Sequence, residues 1–238
     1  MAEMAGRTCS KGQAMIFENG WGIASTLLPQ LQVQQVFHAA GWLAVLSWLS
    51  VTFIPLFDKR WRWLMSSMCW LAVLLVWPSP LSGLGLAFQS PSLLTLCLCV
   101  NAAWMDIKGR SSRIFYTTPA EQTPGWIWLL PVALGWMLLL DAFGQMPWDI
   151  YSLGFGHTLI WLAWGLMGMW MACVYLFALA DWQKQLISCW LVATALFVLT
   201  HAPSGNVWDA WSDPGLWLFA HTKLIQFLWF HRTRINHS

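Results

Sequence analysis

The sequence predicts an all-α membrane protein, a polytopic bundle of about seven transmembrane helices, and three observations predict it. Of 238 residues, 58% are hydrophobic and only 9% are charged, against about 25% charged residues in an ordinary soluble domain. The apolar residues fall into blocks of about 17 to 25, the length that crosses a hydrocarbon core roughly 30 Å thick at 1.5 Å per residue. These blocks are rich in Leu, Trp, Ala and Val and do not alternate, so their backbone amides find partners within helices rather than around a barrel.

Residues 1–32 form a partly interfacial lead, in which 15–31 is too short and mixed to cross. The lead lacks the charged start, apolar stretch and small-residue cleavage site of a signal peptide, so insertion is expected through the first spanning helix. A single transmembrane domain follows over 33–238, with spans at 33–57, 62–78, 84–105, 125–143, 156–180, 185–201 and 214–230. Prolines punctuate the span ends: Pro78 and Pro80, Pro119 and Pro124, Pro147, Pro203, and the Asp213-Pro214 start of the last helix.

Nine cations, Lys59, Arg60, Arg62, Lys108, Arg110, Arg113, Lys184, Arg232 and Arg234, lie on alternate links or the C-terminal tail, and the opposite links hold none. The positive-inside rule then places the N-terminus outside and the C-terminus in the cytoplasm. Arg7 and Lys11 oppose this assignment from more than 20 residues before the first span, where their influence is weak. The outer links are acidic and aromatic, with Asp149, Trp208, Asp209, Trp211 and Asp213. Most of the 21 tryptophans suit an interfacial belt, where an indole buries its ring and keeps its N–H wet.

A net charge of +2 without a basic stripe excludes a nucleic-acid partner. No C-x-x-C pair occurs among the six cysteines, Cys9, Cys69, Cys97, Cys99, Cys173 and Cys189, and five lie within apolar blocks. They are expected to act as small buried hydrophobes. Cys97 and Cys99, two apart on a helix, point to nearly opposite sides, which argues against an ion shared by those two.

The chain also resembles itself. His38, Trp42, Leu43 and Ala44 recur as His157, Trp161, Leu162 and Ala163; Cys69-Trp70-Leu71 recurs as Cys189-Trp190-Leu191. Ser82-Gly83 then answers Ser204-Gly205, and Ser90-Pro91 answers Asp213-Pro214, with an offset growing only from 119 to 123. Two parallel three-helix repeats are expected, 33–113 and 156–234, joined by a connector helix at 125–143 that restores the second unit to the first unit's orientation.

The second unit carries His157 and Trp164-Gly165 in one helix, Leu199-Thr200 ending the next, and Pro214 leading into a helix with Lys223 and the closing Arg232-Thr233-Arg234. In this it resembles the membrane domain of the copper resistance protein D family, itself distantly similar to the membrane-type, haem-binding protoporphyrinogen oxidases. About 80 residues carry the likeness; Gly165-Leu166 stands where the family has a glycine pair, and Val100 stands near the place of Lys223 in the first unit. The resemblance implies copper movement across or into the inner membrane.

His38, His157 and His201 all fall at outer ends of spans, and imidazoles on different helices can converge on copper, zinc or haem iron. An interfacial histidine with an apolar body and a wet tip needs no ligand, so both roles stay open. Met146, Asp141 and Asp149 share that outer region. Lys223 lies nine residues into the last helix, roughly 13 Å deep, where a charge costs about 2.5 to 3.5 kcal/mol and normally faces the bundle interior. Asp141 is its expected acidic partner by depth. His221, two residues back, points nearly the other way.

Three functions compete. The first is metal transport or homeostasis, with copper as the ion, the outer histidines receiving it from the periplasmic side or a periplasmic carrier, and Lys223 tuning the interior. The second is a b-type haem redox protein acting with quinone or porphyrin, two of His38, His157, His201 and His221 being axial ligands. The third is a non-catalytic subunit or assembly factor of a larger membrane complex. No nucleotide-binding or hydrolase motif occurs.

Overall fold

The computed structural model describes residues 28–53, 58–76, 90–108, 126–156 and 181–235, with Trp161 and Gly165 besides. Eight helices are defined among them: α1 (Leu31–Phe53), α2 (Lys59–Val76), α3 (Leu93–Ile107), α4 (Trp126–Ala142), α5 (Ile150–Leu153), α6 (Asp181–Thr200), α7 (Val207–Trp211) and α8 (Pro214–Ile235). Every defined element among the described residues is helical, which establishes the all-α class. By length and composition α1 can cross a membrane; α3 and parts of α4 and α6 are shorter apolar helices. The expected span at 156–180 lies outside the described residues apart from Gly156, Trp161 and Gly165.

Local chemistry explains the boundaries. Residues 84–89 of the expected third span lie outside the described set, residues 90–92 are not helical, and α3 starts at Leu93. Pro91 disfavours a helical residue before it, and Ser92 is an N-cap whose Oγ accepts the Thr95 N–H at 3.1 Å. At the end of α4, Gly144 adopts φ 66°, while the Gln145 N–H reaches the Leu140 carbonyl at 2.9 Å and the Gly144 N–H reaches Asp141 at 2.8 Å. This is the Schellman arrangement that glycine favours. Pro131 lies inside α4, a position tolerated where neighbouring helices help satisfy the freed backbone.

The helices pack with α3 at the centre. It lies against α1, α2, α6 and α7, while α8 lies against α4. Asn101 donates to Gln185 at 3.5 Å, the Cys189 thiol reaches the Cys97 carbonyl at 3.6 Å, and Leu93 shares a buried cluster with Ala193 and Phe197. The constant register of these pairs makes α3 and α6 antiparallel.

Large apolar side chains lie on the outside of several helices as well as in the core, and a few polar ones are buried. Leu64, Met65, Met68, Leu71 and Leu75 form an exposed stripe along α2, and Leu129, Leu130, Leu218, Ile225, Leu228 and Trp229 are exposed on α4 and α8. Ser47, Ser92, Asp106, Thr194, Asn206 and Asp213 are buried.

Candidate functional site

Five helix ends meet at one end of the bundle, and a carboxylate joins two of them. Asp213 precedes Pro214, which fits the first helical position because its missing N–H would have no intrahelical partner there. Asp213 Oδ1 accepts the Leu216 N–H at 2.8 Å and so caps α8. Its Oδ2 accepts the Ser92 N–H at 2.8 Å and the Thr95 hydroxyl, which caps α3 as well. Only 9% of Asp213 is exposed, so one buried charge is balanced by donors from two helix N-termini, where backbone dipoles favour an anion.

The 201–213 segment closes over the same end. Asn206 Oδ1 accepts the Trp208 N–H at 3.0 Å, and Asn206 Nδ2 donates to the Tyr151 carbonyl at 2.9 Å. Trp208 Nε1 donates to the Ile150 carbonyl at 2.9 Å, and the Val207 N–H reaches Gly154 at 3.0 Å. Gly154 is required by this docking, because a Cβ there would stand 1.8 Å from Asn206 Oδ1. The Tyr151 and Ser204 hydroxyls both donate to Asp209 Oδ2. Partial burial pushes the Tyr151 phenol up to about 12, with the Asp209 carboxylate adding to the effect. Below these loops Trp211 Nε1 donates to buried Thr194 at 2.9 Å, and Trp211 packs against Trp190 and Trp208.

His38 and His201 belong to this end. His38 Nδ1 is bonded to the Ser90 hydroxyl, and the adjacent Phe37 packs on the cluster of Leu93, Ala193, Phe197, Val207 and Ala210. The His201 ring lies edge-on to Phe197 of that cluster, 5.9 Å between centroids. Both imidazoles therefore flank one apolar plug. His157 lies outside the described residues. Among the described residues no group of three or more His, Cys, Asp or Glu side chains gathers as a metal-ligand set.

His201 ends α6 with φ 53°, and its N–H bonds the Phe197 carbonyl at 2.6 Å. A left-handed conformation costs an L-residue about 1 to 2 kcal/mol, although histidine visits it more often than most. His201→Gly should therefore raise stability by about 0.5 to 1 kcal/mol once glycine's extra unfolded-state freedom is deducted. Thermal unfolding in detergent checks this, and an unchanged or lowered midpoint counts against the strain.

His221 stands elsewhere, on the α4–α8 seam. Its Nδ1 is bonded to the Trp217 carbonyl at 2.9 Å and its Nε2 to the Trp136 indole N–H at 3.2 Å. An indole only donates and a carbonyl only accepts, so the proton sits on Nδ1. Both ring nitrogens are thus engaged. Asp141 is at the loop end of α4, where its Oδ2 accepts the Tyr151 N–H at 2.7 Å; Asp149 caps α5 through the Ser152 N–H at 3.0 Å. Lys223 lies deeper and half-buried, its Nζ 5.4 Å from the Phe219 ring centroid. That ring meets Trp48 of α1 and Trp128 of α4 edge-on, so the ammonium rests beside an aromatic joint of three helices.

Sequence reasoning missed the centrality of Asp213, which drew notice only as an outer acid before a proline, and missed Thr95, Asn206 and Asp106 altogether. Asp106, 2% exposed, accepts the Trp63 indole N–H at 3.2 Å at the opposite end of α3. A lone acid in an apolar helix was the available signal.

No protein-family model, curated protein or solved structure matches this chain. The likeness to the copper resistance protein D family stands on the motif residues alone.

Proposed function

We propose that the chain is a multi-span protein of a bacterial inner membrane acting in the transport or homeostasis of a metal ion, copper first. In this reading seven spans cross the bilayer, the end carrying Asp213, His38 and His201 faces outward as the receiving end, and Lys223 tunes the interior. The membrane part rests on one observation: large apolar side chains line the outside of α2, α4 and α8 while Asp106, Asn206 and Asp213 are buried. A bilayer accommodates that distribution, which supports the reading. The gathering of the described outer helix ends at one place supports the alternating topology. Direct bonding of Asp213 to Ser92 supports parallel repeats, because repeat-related segments meet near their shared axis.

A second reading is favoured by a specific observation. Asp141, Asp149, Asp209, Asp213 and His221 are all engaged in bonds that shape helix ends or seams, as expected of a structural subunit in a larger membrane complex. A visible spectrum and metal analysis of the detergent-purified protein separate the readings. Stoichiometric copper that is lost in His38→Ala with His201→Ala supports the first. A Soret band selects b-type haem instead, and neither signal selects the subunit. Lys223→Met should leave the protein inserted and abundant, because the change removes the membrane penalty of the charge, yet lower copper tolerance or uptake. Full activity in that variant would remove Lys223 from the mechanism.

A further inference from the structure

The seam between α3 and α6 places Cys189 opposite Cys97 in the core, with the Cys189 thiol against the Cys97 backbone carbonyl. Along it Asn101 faces Gln185, Cys97 faces Cys189, and Leu93 faces Ala193, in one unbroken antiparallel register. Cys189 is 6% exposed and its Sγ stands 3.6 Å from the Cys97 carbonyl oxygen. Cys97 packs on the cluster that Cys189 forms with Leu98, Trp128, Val132 and Ala220. Each of these four-residue steps along α3 is one helical turn, so the opposed pair is set by the backbone register and not by a single rotamer.

We propose that Cys97 and Cys189 form an interhelical site for a soft monovalent cation, Cu(I), inside the bundle. The inference rests on the metal reading above and gives it an interior binding step. Sulfur ligands select Cu(I) over harder ions, and an apolar surround excludes the water that would favour Cu(II). Charge conservation in that surround sets the stoichiometry of protons. The ion displaces one thiol proton, which leaves to solvent, and forms a neutral copper–thiolate unit; the second sulfur donates a lone pair, and no oxidation state changes. A neutral unit avoids the penalty of an isolated buried charge. Passing an ion from outer imidazoles to inner sulfur follows increasing ligand softness, and a pair of sulfurs suits the low coordination number of Cu(I) better than the four ligands Zn²⁺ takes.

The test is anaerobic titration of the full-length purified protein with Cu(I) against a coloured Cu(I) chelator, with X-ray absorption to identify sulfur ligands. One Cu(I) per chain with sulfur neighbours, additional to the copper that depends on His38 and His201, is expected. Loss of supporting contacts around a metal alone weakens binding about 10- to 100-fold, so loss of a ligand in Cys97→Ser or Cys189→Ser should weaken it by more than that. Helical circular dichroism and unfolding midpoints establish that these near-isosteric variants fold. If either should not, protection of Cys97 and Cys189 from maleimide by Cu(I) in the unsubstituted protein is the second measure, and protection of both is expected. A variant with Cys9, Cys69 and Cys173 replaced by Ser should bind as the parent does. Unchanged affinity in both single variants, or loss in that triple variant, overturns the site. His38→Ala with His201→Ala separates the two claims. Cellular copper transport absent even in the unsubstituted protein, with Cys-dependent binding intact, removes the transport reading and leaves the site. Binding indifferent to Cys97 and Cys189 but abolished with the histidines removes the site and leaves the reading.

Discussion

Replacing Asp213 by alanine should cost about 3 to 5 kcal/mol of stability, the largest loss expected from a single substitution at the loop end. Hydrogen bonds to a charged group contribute about 1.5 to 3 kcal/mol each and are not additive, and loss of an N-cap alone costs about 1 kcal/mol. Asp213 makes three such bonds, to Ser92, Thr95 and Leu216. Its removal strands the Ser92 and Leu216 amides at buried helix ends. Asp213→Asn is the sharper comparison. The asparagine oxygen can keep the Leu216 bond, and the Thr95 hydroxyl can turn to accept, but the new amide group then faces the Ser92 N–H donor to donor. An intermediate loss of about 1 to 3 kcal/mol follows. Denaturant unfolding in micelles, followed by tryptophan emission, measures both, and a loss below about 0.5 kcal/mol in the alanine variant would mean that the joint is not structural.

Asp213 also marks the boundary of what the sequence makes legible. The apolar blocks located α1, α2, α4, α6 and α8 to within a few residues, because a long apolar helix is set by length and hydropathy, which are local properties. Helix ends carried by local caps were legible too, as Pro214 and the Gly144 region illustrate. What could not be read is any bond between distant segments. Ser92 meets Asp213 across 121 residues and His38 meets Ser90 across 52, and nothing in either neighbourhood names the partner. The short helices α5 and α7 were read as links because four or five residues leave no periodicity to detect. Their order comes from docking on each other through Asn206 and Trp208.

The histidines divide for the same reason. Placement of His38 and His201 toward one end of the bundle follows from their position near helix ends, a one-dimensional property that the alternating direction of the helices carries into space. His221 depended on rotation about the helix axis. Periodicity separated it from Lys223, and the structure places it against Trp136 and Trp217, with Lys223 beside Phe219. The opposed residues Cys97 and Cys189 required the α3–α6 register, which no repeat or spacing encodes.

Gly135→Ala should destabilise the protein by about 2 kcal/mol, against the usual direction of that change. In an exposed helix interior, alanine is favoured over glycine by about 1 kcal/mol, and Gly135 lies within α4, where a helix former is expected to help. Geometry reverses the sign. A Cβ at Gly135 would stand 2.1, 2.5 and 2.8 Å from Cδ1, Nε1 and Cγ of the Trp217 ring, distances at which the ring must move. Trp217 cannot move alone, because its Nε1 donates to the Val132 carbonyl at 3.2 Å and its ring meets Trp136 and His221 edge-on. Overpacking costs about 1 to 3 kcal/mol, and the lost indole bond adds about 0.5 to 1.5, which together outweigh the propensity gain. The effect should depend on the indole. In a Trp217→Ala background the clash is absent, and Gly135→Ala should become neutral or stabilising by up to about 1 kcal/mol. A double-mutant cycle of unfolding free energies in detergent gives the coupling directly. Gly135→Ala more stable than the parent protein, with no coupling to Trp217, would mean that α4 and α8 do not approach as closely as this seam requires.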